Sequence, residues 1–130
     1  MDFGLSERET YWRDRVRDFM AAHVYPAIPA YNRHFTQEGA ARWTVIPVIE
    51  ELKAKAYSEG LWNLFLNKSE HDDPDYAGPG LSNLEYALCA EEMGRVGFAS
   101  EVFNCSAPDT GNMEVLRQYG TPQQKAKWLR

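Results

Sequence analysis

Three times along this chain a hydroxyl residue is followed, three places later, by a side chain that can reach back to it. The boxes are Ser6-Glu7-Arg8-Glu9, Ser82-Asn83-Leu84-Glu85 and Thr121-Pro122-Gln123-Gln124. In each, the hydroxyl can accept from the backbone N–H three residues on, while the Glu or Gln accepts from the N–H of the hydroxyl residue. Two of the four amide groups that every helix start leaves unpaired are satisfied this way. A chain of 130 residues that carries three such boxes is committed to helices, and no segment shows the period-two alternation of a half-buried strand. The expected fold is all-α: one domain, residues 1–130, of five to six helices in an orthogonal or up-down arrangement.

After the first box, Trp12, Val16, Phe19, Met20 and His23 recur at helical spacing, and Pro26 and Pro29 are expected to end the pattern. The polar connection 32–42 follows. A second helix is expected from Thr44, with Pro47 in its first turn, Val45, Val48, Ile49, Leu52 and Ala56 as its apolar stripe, and Gly60 as its stop. A long irregular stretch then runs through Ser69-Glu70-His71-Asp72-Asp73-Pro74 to Gly78-Pro79-Gly80. Loops of that length are often functional or mobile. The Ser82 box opens a helix expected to reach Gly97, with Tyr86, Ala87, Cys89, Ala90, Met93 and Gly94 apolar around half or more of its circumference. Three short helices complete the reading: Phe98–Ser106, Asn112–Tyr119 and the one that Thr121 opens. The last is still in mid-pattern at Trp128-Leu129-Arg130, so the chain is expected to be part of a longer protein.

Chemistry is sparse. The net charge is -5, and the largest basic cluster, Lys125, Lys127 and Arg130, is interrupted; neither suits a phosphate backbone, so no nucleic acid partner is expected. Cys89 and Cys105 lie among apolar residues at a spacing that matches no zinc pattern; they are expected to be small buried hydrophobes. The opening residues carry no basic segment leading into an apolar one, and no apolar run reaches bilayer length. A cytoplasmic protein without a membrane span is expected.

His71 beside Asp72, Asp73 and Asp75 can be drawn as a metal site, but a proline-punctuated loop lacks the rigid support that ligands need, and no metal is expected. His23 and His34 have no Ser or Cys nearby on a recognisable elbow. Glu91 and Glu92 are adjacent, so on a helix they point about 100° apart and cannot share one site. They read as structural, with Glu91 spaced to pair with Arg95. Gly78-Pro79-Gly80 follows no strand and lacks a third glycine, so it is no dinucleotide fingerprint. No catalytic, cofactor-binding or metal-ligating residue is expected in this chain.

Four segments carry a family resemblance. Cys89-Ala90-Glu91-Glu92-Met93-Gly94-Arg95-Val96-Gly97 resembles the Glu-Glu-Met/Leu-Gly segment of the third helix of acyl-CoA dehydrogenases. Gly120-Thr121-Pro122-Gln123-Gln124-Lys125, with Trp128-Leu129 after it, is similar to that family's Gly-(Thr/Ser/Asn)-x-x-Gln-Lys…(Tyr/Trp)-Leu signature, and Leu5-Ser6-Glu7 fits its first helix. Asn104-Cys105-Ser106-Ala107-Pro108-Asp109-Thr110-Gly111-Asn112-Met113-Glu114 resembles the branch that includes family members ten and eleven, associated with longer or unusual acyl chains.

The resemblance implies a parent of three parts: this N-terminal helical domain, a middle β-domain and a C-terminal helical bundle. It implies a fatty acyl-CoA substrate, an FAD cofactor held by parts of the parent beyond Arg130, a glutamate base in the C-terminal part, and an electron-transfer flavoprotein as acceptor. A homo-oligomer is expected, and this chain alone is expected to be inactive. By position in the motif, Ser106, Asp109, Thr110 and Met113 would line the distal acyl cavity. The same residues can equally turn the chain, with Asp109 or Thr110 capping the next helix. The alternative, a free-standing helical protein-interaction module, differs in one readable respect. It would stop near Arg130, whereas an enzyme's reading frame continues.

Overall fold

The computed structural model describes residues 4–69 and 76–129. All three boxes close. Ser6 Oγ accepts from the Glu9 N–H at 3.2 Å while Glu9 Oε2 accepts from the Ser6 N–H at 2.6 Å, which starts α1 (Glu7–Phe19).

The prolines do not end this helix. Met20–Val24 widens into a π turn, in which the Tyr25 N–H bonds back to the Met20 carbonyl, and α2 (Tyr25–His34) continues without a break. The wider turn sits just ahead of Pro26, so that proline's missing N–H falls at the start of a fresh helical ladder. Pro29 stays inside α2 and leaves an interior hydrogen bond unmade. What holds both in a helix is one continuous buried stripe: Trp12, Val16, Phe19, Met20, Val24 and Ala27. Burial of such a face outweighs local propensity.

The second expected helix begins later than Thr44. Thr44 instead closes a 3-10 turn, Gly39–Trp43, its hydroxyl donating to the Ala41 carbonyl at 2.8 Å. With that side chain occupied, α3 (Pro47–Ser58) starts at its proline. Val45 falls outside the stripe and is exposed, while Ile49, Leu52 and Ala56 are buried as expected. Gly60, at φ 70°, takes the chain out of the helix. Residues 61–66 then run through the centre of the core without regular structure. Leu61, Asn63, Leu64, Phe65 and Leu66 are all buried there, against Ala99, Val102 and Phe103 among others.

The Ser82 box opens α4 (Asn83–Met93), which ends at Gly94 rather than near Gly97. Its buried face is Glu85, Cys89, Glu92 and Met93, whereas Ala87 and Gly94, expected on the apolar arc, are exposed. Turns lead into α5 (Ala99–Val102), much shorter than the helix expected over Phe98–Ser106. α6 (Asp109–Tyr119) begins three residues before Asn112, and α7 (Pro122–Trp128) follows the Thr121 box. With α1, the π turn and α2 counted as one continuous helix, the described residues hold six helices and no strand.

α1 lies along α4, α3 contacts α2 and α5, and α6 contacts α7. Arg8 pairs with Glu85 and Arg17 with Glu92; the pairs are met in the same order on both helices, so α1 and α4 run in the same sense. Among the described residues no helix is long and apolar enough to cross a membrane.

Candidate functional site: a groove floored by two asparagines

Two turns bend through left-handed backbone at an asparagine, Asn63 at φ 55° and Asn104 at φ 53°. Asparagine is among the few residues besides glycine that take this conformation readily. The turns are joined. The Asn63 N–H donates to the Phe103 carbonyl at 3.1 Å, and Asn104 Nδ2 donates to Asn63 Oδ1 at 2.7 Å. Asn63 Nδ2 in turn donates to the Tyr76 carbonyl at 2.8 Å. Gly78 permits this approach: a Cβ there would stand 2.1 Å from the Asn63 carbonyl oxygen. That contact, and not a nucleotide, accounts for the first glycine of Gly78-Pro79-Gly80.

Above this floor opens a groove of about 850 Å³, between the end of α3 and the α6–α7 pair. Tyr57, Trp62, Met113, Val115, Leu116, Trp128 and Leu129 make it mostly apolar. Its polar groups are Asn63, Asn104, Asp109 and Asn112. Met113 reaches the floor, where Asn104 Nδ2 stands 3.6 Å from its sulfur.

Of the four residues expected to line a cavity, Asp109 and Met113 line this groove. Ser106 and Thr110 are not among its lining residues. The Ser106 hydroxyl lies 3.5 Å from that of Ser100, and its carbonyl accepts from the Thr110 N–H at 3.2 Å. Neither Asp109 nor Thr110 caps α6: both lie in its first turn, behind Pro108 at the cap position, which offers no side-chain hydrogen bond. Trp62, Asn63, Asn104 and Leu116 went unread as site residues. A signal existed in Leu61-Trp62-Asn63-Leu64-Phe65-Leu66, where a single amide stands in an otherwise unbroken apolar run.

The ionisable groups of the core do structural work. Glu92 accepts from Arg17 Nε and Nη2 at 3.1 and 2.7 Å and from Arg95 Nε at 3.0 Å. The Arg17 hydrogen bonds, more than any other influence, hold its carboxyl below the ordinary range. Glu91 is exposed and its nearest approach to Arg95 is 4.0 Å, so the two carboxylates do face different surroundings.

Cys89 and Cys105 are both buried. Burial pushes their thiols up, to about 12 and about 11, and the Tyr86 phenol between them to about 12. Thiols that stay protonated are not nucleophiles. His34 is buried with Nδ1 3.3 Å from Gln37 Nε2, and His23 lies edge-on to Phe19. His71, Asp72, Asp73 and Asp75 lie outside the described residues. The groove is therefore the feature best shaped to take a ligand, and its lining suits an elongated apolar group.

Comparison with known proteins bears on what that ligand is. The family model described as "Acyl-CoA dehydrogenase, N-terminal domain" matches residues 6–130. The chain is 51% identical over 126 residues to mouse acyl-CoA dehydrogenase family member 10, covering 97% of this chain and 12% of that protein. It is 49% identical over 129 residues to rat acyl-CoA dehydrogenase family member 11, covering 98% of this chain and 15% of that one. A solved Mycobacterium abscessus structure, described as that of an acyl-CoA dehydrogenase, superposes with a TM-score of 0.84 at 46% identity. That match covers 98% of this chain and 31% of the solved one. The chain thus spans less than a third of each of these proteins.

Proposed function

Because the chain belongs to the acyl-CoA dehydrogenase family and has the fold of its N-terminal helical domain, we propose that its parent is an FAD-dependent dehydrogenase of fatty acyl-CoA thioesters. In this reading the parent also carries a middle β-domain and a C-terminal helical domain. This domain walls the acyl-binding cavity, and the parent is a cytoplasmic homo-oligomer that passes electrons to an electron-transfer flavoprotein. Similarity over nearly the whole chain favours this over a free-standing interaction module.

The observation that carries the reading is the groove. A long acyl chain needs an apolar slot with few polar groups, and Trp62, Met113, Leu116 and Leu129 offer one beside the two asparagines. The chemistry asks for different things: a base for a weakly acidic α-carbon, and hydrogen bonds to the thioester carbonyl in a dry cavity. Asp109, the one carboxylate among the described lining residues, is exposed and is no such base. This chain contributes shape, and the base belongs to the C-terminal part of the parent.

The flavin does not fit the groove either. Among the described residues lining it none is Lys or Arg, and Asp109 would face a pyrophosphate with its own charge. FAD is therefore assigned to other parts of the parent.

The test is the full-length parent with Met113→Trp, assayed across short-, medium- and long-chain acyl-CoAs. A bulkier side chain on the groove should lower kcat/KM for long chains relative to short ones by about 10-fold or more, the discrimination typical of a filled apolar pocket. Kinetics that are unchanged across chain lengths would remove this domain from the acyl cavity.

A further inference from the structure

The groove floor is held by a relay of two side-chain amides, anchored at the Tyr76 carbonyl. Asn104 Nδ2 carries two hydrogens. One is committed to Asn63 Oδ1 at 2.7 Å, and the other faces the Met113 sulfur at 3.6 Å. Asn63 is 2% exposed and is held at both ends, donating to the Tyr76 carbonyl while its own N–H is bound to the Phe103 carbonyl. The relay therefore runs from the backbone at Tyr76, through two side-chain amides, to a thioether on α6.

A methionine left to itself fills space in many ways, having three rotatable bonds and no strong directional partner. Here an N–H aimed at the sulfur selects among those rotamers, and the amide that supplies it cannot turn without breaking a shorter hydrogen bond.

We propose that Asn104 is a positioning residue for acyl-chain specificity: by holding the Met113 side chain at the groove floor, it sets how long a chain the cavity takes. The inference rests on the acyl-cavity reading above. It adds a residue that acts through Met113, together with the Asn63 amide that orients it.

Glycine accepts a φ of 53°, so Asn104→Gly deletes the amide without straining the turn. Asn104→Asp is nearly isosteric and, when ionised, has no hydrogen to give either partner. In the full-length parent both variants should raise the ratio of kcat/KM for long over short acyl-CoAs. For Asn104→Gly the rise should be about 10-fold, the scale at which apolar pockets discriminate by a methylene.

The effect should vanish in a Met113→Leu background, which keeps the bulk and removes the sulfur; such non-additivity marks a route through Met113. A merely structural role would lower kcat/KM by the same factor for every chain length, and that result overturns the proposal. So does a ratio that shifts equally with and without the Met113 sulfur. A wild-type parent that oxidises no acyl-CoA of the series fails at an earlier step, and takes both the dehydrogenase reading and this inference with it.

Discussion

Glu92 is 4% exposed on the face of α4 that meets α1, yet it is ionised, because Arg17 and Arg95 both donate to it. Glu85, one turn into the same helix, is held low chiefly by the Ser82 backbone N–H and further by Arg8. Both carboxyls titrate below their ordinary value of 4.5 in the folded chain. Their contribution to stability is therefore complete above that value and is lost as pH falls through the lowered, folded values. The thermal midpoint should hold roughly level from neutrality to about pH 5 and then drop. Glu92→Gln should flatten part of that drop and cost about 1–3 kcal/mol at neutral pH in urea unfolding, the usual range for disturbing a buried charge-assisted hydrogen bond. A variant with the wild-type acid slope would assign the acid sensitivity to other groups. Sequence spacing pointed to Glu91 as a partner of Arg95 on a helix expected to reach Gly97, and the two do approach to 4.0 Å. The Arg17 pair joins residues 75 positions apart and exists only because two helices meet.

At the scale of elements, the starts marked by a capping box were legible, whereas α3 and α6 each start three residues from where spacing placed them. Each capping box closes within four residues, so nothing distant can disturb it, and all three formed where they were read. The ends depend on what the helix packs against. Pro26 and Pro29 are helix breakers by local chemistry, and the buried stripe through Met20, Val24 and Ala27 carries the helix past them. A cost remains at Pro29, whose missing N–H leaves a carbonyl one turn back without its partner. Pro29→Ala should therefore stabilise the chain by about 1 kcal/mol or more, a part of the roughly 3 kcal/mol that an interior proline costs. The urea midpoint, with the slope unchanged, measures it. A destabilised variant would mean that the proline ring itself is needed for packing.

For the molecule as a whole, apolar surface is left where no other described residue covers it. Tyr57 and Trp128 at the groove are 62% and 63% exposed, and Val115 and Tyr119 on α6 are exposed as well. Contiguous surface of this kind usually marks a place where something docks, and the proposed parent has two further domains to supply it. The isolated 130-residue chain should therefore self-associate with rising concentration and show no dehydrogenase activity. Sedimentation velocity over a concentration series should report this, and Tyr57→Ser with Trp128→Ser should return the chain toward a monomer. A wild-type chain that stays monomeric throughout would show that this face is tolerated bare.

By itself the sequence determined what depends on neighbours along the chain. Capping, helical period and the placing of two thiols among apolar residues sufficed for an all-helical domain with its cysteines inside, and the resemblance of its motifs pointed to the family. The motif around Asn104 also led to Asp109 and Met113, which do stand on the groove. Only the tertiary structure decided the rest. The run at 61–66 has no period to mark it as core, and its burial comes from the helices around it. Ser106 and Thr110 carry the motif as well as their neighbours do, but the first turn of α6 hydrogen-bonds them to each other and away from the groove. The groove floor belongs to two asparagines 41 positions apart, and a hydrogen bond between residues that distant is a property of the fold.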